Sequence, residues 1–285
     1  MTEPVEGPRM DSLKPAEIVA AMINAGATRA ELAIRDLLIR GALSGMLLGV
    51  STTLALTAAA QTGIPFVGAL IFPVGFVMIV LLGLDLVTGS FALVPMAAMA
   101  GRVRWSAVAG NLAWVFLGNL IGSVLYAGLF VIAATNAGLL PATAGIAQKV
   151  VQLAEAKTTG YAAIGGAGML AMFVKAILCN WMVCMGAVLG LASTSTIGRI
   201  VGAWLPITVF FAQGFEHAVV NMFVIPAGML MGAKVSFADW WLWNQIPVTI
   251  GNFVGGFVFV GAALYVTYVP PRARVASEAL AASGD

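Results

Sequence analysis

Apolar residues run through this chain in long blocks separated by short polar joints, and a helix needs ~20 of them in succession to cross a membrane. Counted that way, the pattern predicts six spans, at 38–60, 66–98, 106–134, 161–192, 200–231 and 243–269. The second and fifth are too long for one straight crossing. Each is expected to comprise two half-helices joined by non-helical backbone, which is tolerated at membrane depth only where it is buried in protein or lines a cavity. Ahead of the spans, residues from Lys14 to Arg40 alternate apolar and charged at helical spacing, predicting an amphipathic helix that leads into the first one. The organisation read from this pattern is an N-terminal segment (1–37), one six-span domain (38–269) and a short tail (270–285), with no soluble enzyme module.

The two over-long blocks contain a repeat. Gly83–Pro95 reads GLDLVTGSFALVP and Gly214–Pro226 reads GFEHAVVNMFVIP, at an offset of 131 (214 − 83). Both carry Gly, one residue, a carboxylate (Asp85, Glu216) and a closing Pro, residue types that interrupt helices or are costly in a bilayer. A second echo, at an offset of 133 (244 − 111), pairs Asn111, Gly118, Asn119, Gly122 and Gly128 with Asn244, Gly251, Asn252, Gly255 and Gly261. Three spans separate the copies, so an odd number of crossings would invert the second. The expected fold is therefore all-α and membrane-embedded, two inverted three-helix repeats with broken second and fifth helices. Paired interrupted segments of this kind point to a substrate pathway.

Composition supports the membrane class: 61% of residues are hydrophobic and 9% charged, with a mean hydropathy of +1.00. The N-terminus has early acids and prolines and no short apolar core, so it does not read as a secretory signal. Lys and Arg set the orientation. With the N-terminus inside, the cytoplasmic side holds Arg9, Lys14, Arg29, Arg35, Arg40, Arg102, Arg104, Arg199, Arg272 and Arg274, and the far side only Lys149, Lys157 and Lys234. Both termini are thus expected in the cytoplasm, with the chain in the inner membrane. A net charge of +2, scattered along the chain, gives no footprint for nucleic acid. Cys179 and Cys184, five apart in one apolar block, read as buried packing rather than a disulfide or metal pair.

Half-helix N-termini meeting near the midplane would aim partial positive charge at the centre and favour an anion. Thr88 falls in the first break and His217, the single histidine, in the second. His217 is either a satisfied structural residue or a functional one; its place beside Glu216 at membrane depth favours function. Asp85 and Glu216 read equally well as braces for the breaks. Lys175 is either pore-facing or snorkelling. One His with no second ligand at metal spacing argues against a metal, and no nucleophile–base pair or cofactor ligand set argues for an enzyme.

At these residues the chain resembles the formate–nitrite transporter family, through LDLVTGS at Leu84–Ser90, ILCNWMVC at Ile177–Cys184, GFEHAVVNMFVIPAG from Gly214 and IPVTIGNFVGG from Ile246. The likeness is closest to its formate-transporter branch. The resemblance implies a homopentamer with one aquaporin-like pore per subunit and no cofactor. It also implies a loop-shaped break at Leu86, Val87 and Thr88, with Val87 where a Phe is usual, and so a wider cytoplasmic ring. It places Leu86 and Phe210 at a cytoplasmic constriction, and Phe72 and Phe76 at a periplasmic one. His217 matches the central pore histidine, Thr88 its hydroxyl partner, and Asn180 and Asn252 pore asparagines. Glu216, Asn221 and Lys157 match a polar cluster beside the pore.

The substrate implied is formate or a similar small monovalent anion, nitrite and hydrosulfide being the nearest rivals. A water or glycerol channel is a poorer fit, since the paired Asn-Pro-Ala signature is missing. Born desolvation of a carboxylate-sized ion is of order 20 kcal/mol, so the anion is expected to take up a proton before the apolar constrictions and pass as the acid. His217 is expected to supply or stabilise that proton by titrating, or else to stay neutral and donate a hydrogen bond.

Overall fold

The computed structural model describes residues 11–271, and apart from one bridge between Ser12 and Ser193 these form helices and their connections. Arg9, Arg272, Arg274 and most of the 270–285 tail lie outside the described residues. Helix α1 (Pro15–Ala30) is followed by α2 (Ile34–Thr62), α3 (Pro65–Ile71), α4 (Pro73–Leu81), α5 (Val87–Met99) and α6 (Trp105–Ala134). Then come α7 (Gly145–Ala156), α8 (Thr159–Ile164), α9 (Gly166–Leu191), α10 (Thr196–Ala212) and α11 (Ala218–Leu230). The chain closes with a continuous helical run, α12 (Phe237–Trp240), α13 (Ile246–Gly256) and α14 (Ala263–Tyr268), joined by π-helical turns. Four helical stretches are long and apolar enough to cross a membrane: Ile34–Thr62, Trp105–Ala134, Gly166–Leu191 and Phe237–Tyr268.

Between these stretches lie the shorter apolar helices α3–α5 and α10–α11. Their interruptions coincide with the repeated segment and share one backbone design. Gly83 and Gly214 take φ of 63° and 64°, the left-handed conformation a glycine adopts without strain. At each, the next residue's N–H reaches back five residues, Leu84 to the Ile79 carbonyl and Phe215 to the Phe210 carbonyl, closing the preceding helix. Leu86 and His217 then stand extended before α5 and α11, at φ/ψ of −115°/122° and −113°/119°. Identical chemistry gives an identical turn.

Helices α5 and α11 are apolar on nearly every face, Thr88, Ser90 and Asn221 excepted, and almost wholly buried, as such helices must be. The long helices present Ile39, Leu43, Leu129, Ile132 and Leu170 outward, an exposed apolar belt that suits hydrocarbon and not water. Gly255 and Gly256 let α13 approach α9: a Cβ on Gly255 would meet the Ile177 carbonyl. Gly26 does the same for α1, which lies against the Leu93 carbonyl of α5. The amphipathic helix foreseen at the N-terminus is thus packed into the body of the molecule, with Val19 and Met22 in a shared core beside Leu93 and Met96.

Candidate functional site

Each break is pinned by one asparagine. Asn119 of α6 accepts from the Val87 N–H (2.9 Å) and donates to the carbonyls of Gly41 (2.8 Å) and Asp85 (3.0 Å). Asn252 of α13 accepts from the Ala218 N–H (2.8 Å) and donates to the carbonyls of Ala176 (2.7 Å) and Glu216 (2.9 Å). A single side chain therefore satisfies backbone groups that the broken helix leaves orphaned. Asn252, expected to line a pore, instead spends both ends of its amide on this brace. Asn180 donates to the carbonyls of Thr88 (3.0 Å) and Asn252 (2.6 Å), tying the two breaks together, and its own Oδ1 has no partner.

The carboxylates are paired in the same way. Asp85 meets Arg29 of α1 (3.2 Å) and Glu216 meets Lys157 beyond α7 (2.8 Å). The ends of these two outer helices are held alike, Asn111 donating to the Arg29 carbonyl and Asn244 to the Lys157 carbonyl, each at 2.9 Å. The two networks differ in completeness. Glu216 accepts from Lys157, Asn221 (2.8 Å) and Tyr161 (3.0 Å), whereas neither oxygen of Asp85 accepts a well-formed hydrogen bond. The structure thus brings Glu216, Asn221 and Lys157 together as the sequence suggested. Arg29, Asn119, Asn111, Asn244 and Tyr161 were not anticipated. The asparagine echo was visible in the sequence, but what those amides hold was not.

His217 sits where the breaks meet. Its Nδ1 accepts the N–H groups of Val219 (3.1 Å) and Val220 (3.2 Å), capping α11, and its Nε2 lies 3.2 Å from Thr88 Oγ1. Two donors on Nδ1 leave no room for a proton there, so this network assigns the hydrogen to Nε2. A charged imidazolium would set an N–H against two others. The geometry therefore opposes the titrating role expected of His217 and fits the neutral donor. It also alters the picture of bare half-helix N-termini: the first N–H groups of α11 are taken by Asn252 and His217 rather than left for an anion.

A cavity of about 320 Å³ opens onto this point, lined by Lys149, Lys157, Tyr161, Phe210, His217 and Asn221 among others. Phe210 covers the imidazole, ring centroids 5.6 Å apart, and Phe72 meets Phe210 edge-on at 5.6 Å while stacking on Phe211 at 4.0 Å. Phe72 and Phe210 were expected on opposite sides of His217. They form one aromatic layer, on the side of Lys149 and Lys157, because α3 and α4 run alongside α10. Phe76 is buried one turn further along, in the space that Gly186 leaves, and Leu86 and Val87 are buried in the first break. Lys175 lies outside the cavity lining, its ammonium 3.4 Å from the Tyr161 hydroxyl. Cys179 and Cys184 are free and buried, and among the described residues no three His, Cys, Asp or Glu converge as metal ligands.

A family profile described as formate/nitrite transporter matches residues 16–266, nearly the whole described chain. This chain belongs to the formate/nitrite transporter family. It is 34% identical to the uncharacterized transporter YrhG of Bacillus subtilis (strain 168) over 266 residues, covering 90% of this chain and 93% of that one. It is 30% identical to the formate channel BtFdhC of Bacillus thuringiensis over 268 residues, covering 90% and 95%. A solved pentameric formate channel with formate bound superposes with a TM-score of 0.68 at 25% identity, covering 83% of this chain and 98% of that one. The family is one of multi-pass membrane transporters, in keeping with the four long apolar stretches.

Proposed function

We propose that this protein is a formate channel of the inner membrane. Its fold is read as six crossings arranged as two inverted three-helix repeats, with both termini in the cytoplasm and five copies in the assembly. Support for the repeat comes from the matched pairs Arg29/Lys157, Asp85/Glu216, Asn111/Asn244 and Asn119/Asn252, each making the same contact in its own half. On this reading α1 is the counterpart of α7 and part of the transport unit, not a separate segment.

The observation that carries the function is a neutral Nε2–H donor at the foot of a lysine-bearing cavity, behind a layer of two phenylalanines. The lysines draw in an anion. The apolar layer rejects it as a bare charge, since desolvation disfavours the ionised form and raises a carboxylate's pKa. A formate that takes up a proton supplied by the external solution, as hydronium through the cavity water, passes as the acid. The Thr88 hydroxyl and His217 Nε2–H then replace some of the hydrogen bonds it loses. His217 supplies no proton in this scheme, and the pH response belongs to the substrate.

Purified protein in liposomes tests the substrate by uptake of formate, nitrite, hydrosulfide and lactate side by side. Formate uptake that rises as external pH falls is expected. Uptake of nitrite or hydrosulfide with none of formate would overturn the assignment.

A further inference from the structure

Lys175 is a cation well inside the apolar span of α9, and neither the braces nor the pore accounts for it. Its ammonium lies 3.4 Å from the Tyr161 hydroxyl and 5.7 Å from the centre of that ring. The hydroxyl in turn donates to Glu216 Oε1 at 3.0 Å, and Tyr161 lines the cavity. Among the described residues no carboxylate comes within 4.0 Å of Lys175, while Glu216 already neutralises Lys157. Around Glu216 two ammoniums face one carboxylate, so Lys175 brings a positive charge additional to that of Lys149 on the cavity wall.

The first half of the chain has a cation at the matching position but no tyrosine bridge. Asn119 binds the Gly41 carbonyl as Asn252 binds that of Ala176, so the preceding residues, Arg40 and Lys175, hold one place. But 12 residues (41 − 29) separate Arg29 from Gly41, and 19 (176 − 157) separate Lys157 from Ala176. The seven additional residues accommodate α8, and α8 carries Tyr161.

We infer that Lys175 and Tyr161 are positioning residues for anion capture: Lys175, just behind the cavity wall, adds uncompensated positive charge to that of Lys149, and the Tyr161 hydroxyl couples it to the Lys157–Glu216 pair. This rests on reading the cavity as an anion entrance. Because the attraction is one of charge, it acts on any small monovalent anion and changes how readily the cavity fills, not how fast a bound anion crosses. A field focused in a low-dielectric cleft raises local anion concentration by tenfold or more.

The test measures formate uptake in liposomes against concentration, at low and high salt, with assembly checked by size. For Lys175→Met the half-saturating formate concentration should rise roughly tenfold, the low-end effect of one focused charge. Maximal flux should hold, and the loss of uptake with added salt should flatten. Lys175→Arg should restore both readouts, and Tyr161→Phe, which keeps the ring, should shift them in the direction of Lys175→Met. Wild-type half-saturation and salt response in Lys175→Met, or Lys175→Arg behaving like it, overturns the inference. If Lys175→Met does not assemble, Tyr161→Phe with wild-type values does so. Should the wild type carry nitrite and not formate, the substrate reading fails by itself, and the same comparison runs on nitrite.

Discussion

Replacing Asn252 with Ala removes one side chain and unfastens three backbone groups. The Ala218 N–H loses its acceptor at 2.8 Å, and the carbonyls of Glu216 and Ala176 lose donors at 2.9 and 2.7 Å. A buried polar group left without a partner costs about 1–3 kcal/mol. Ala176 lies within helix α9, which lessens its loss, so two orphaned groups and one weakened carbonyl sum to about 3–5 kcal/mol. That is a large share of the roughly 5–15 kcal/mol that holds a typical protein folded. Asn119→Ala should cost a similar amount, since it releases the Val87 N–H and the carbonyls of Asp85 and Gly41. Thermal unfolding of purified protein should show both variants melting roughly 6–20 °C below wild type, on the usual scaling for the largest single domains. Thr57→Ala, which removes a hydroxyl bonded within its own helix turn to the Thr53 carbonyl, should shift little. Uptake should fall further than stability does, because the break carries His217. If Asn252→Ala melts within ~2 °C of wild type and still carries formate, the asparagine does not hold the break and the reasoning fails.

Three further outcomes follow from the same geometry. His217→Asn retains a side-chain oxygen able to cap α11, so the protein should fold; loss of the Nε2 donor should cut formate flux roughly tenfold, the worth of one buried hydrogen bond, with the acid stimulation of uptake preserved. A flat pH profile in that variant would restore the titrating role. Phe210→Ala removes the ring between Phe72 and His217, and paired uptake assays should show preference for formate over lactate falling roughly tenfold; unchanged preference would place the selective constriction elsewhere. Gly26→Ala forces α1 off the Leu93 carbonyl at about 1–3 kcal/mol, so limited trypsin digestion should cut faster at Arg29 than in wild type. Equal rates would mean that α1 contributes nothing to holding Arg29 on Asp85.

The sequence by itself determined the elements whose physics is local. Blocks of apolar residues had to be membrane helices, and a glycine followed two residues later by a carboxylate inside such a block had to interrupt one. Both interruptions stand where the repeat put them, with Gly83 and Gly214 in the same left-handed conformation. The meeting of Lys157 with Glu216 was also legible, through resemblance. Tertiary structure alone decided who satisfies whom. Asn119 and Asn252 lie more than thirty residues beyond the breaks they hold, and Arg29 lies 56 (85 − 29) before Asp85. Chain spacing carries no trace of such contacts, because they depend on which helices pack together. For the same reason Phe72 and Phe210 could be placed on opposite sides of His217 in the sequence, although the antiparallel packing of α3 and α4 on α10 puts them in one layer. The protonation of His217 was the most remote from sequence: it follows from two backbone N–H groups converging on one ring nitrogen, which only the turn into α11 brings about.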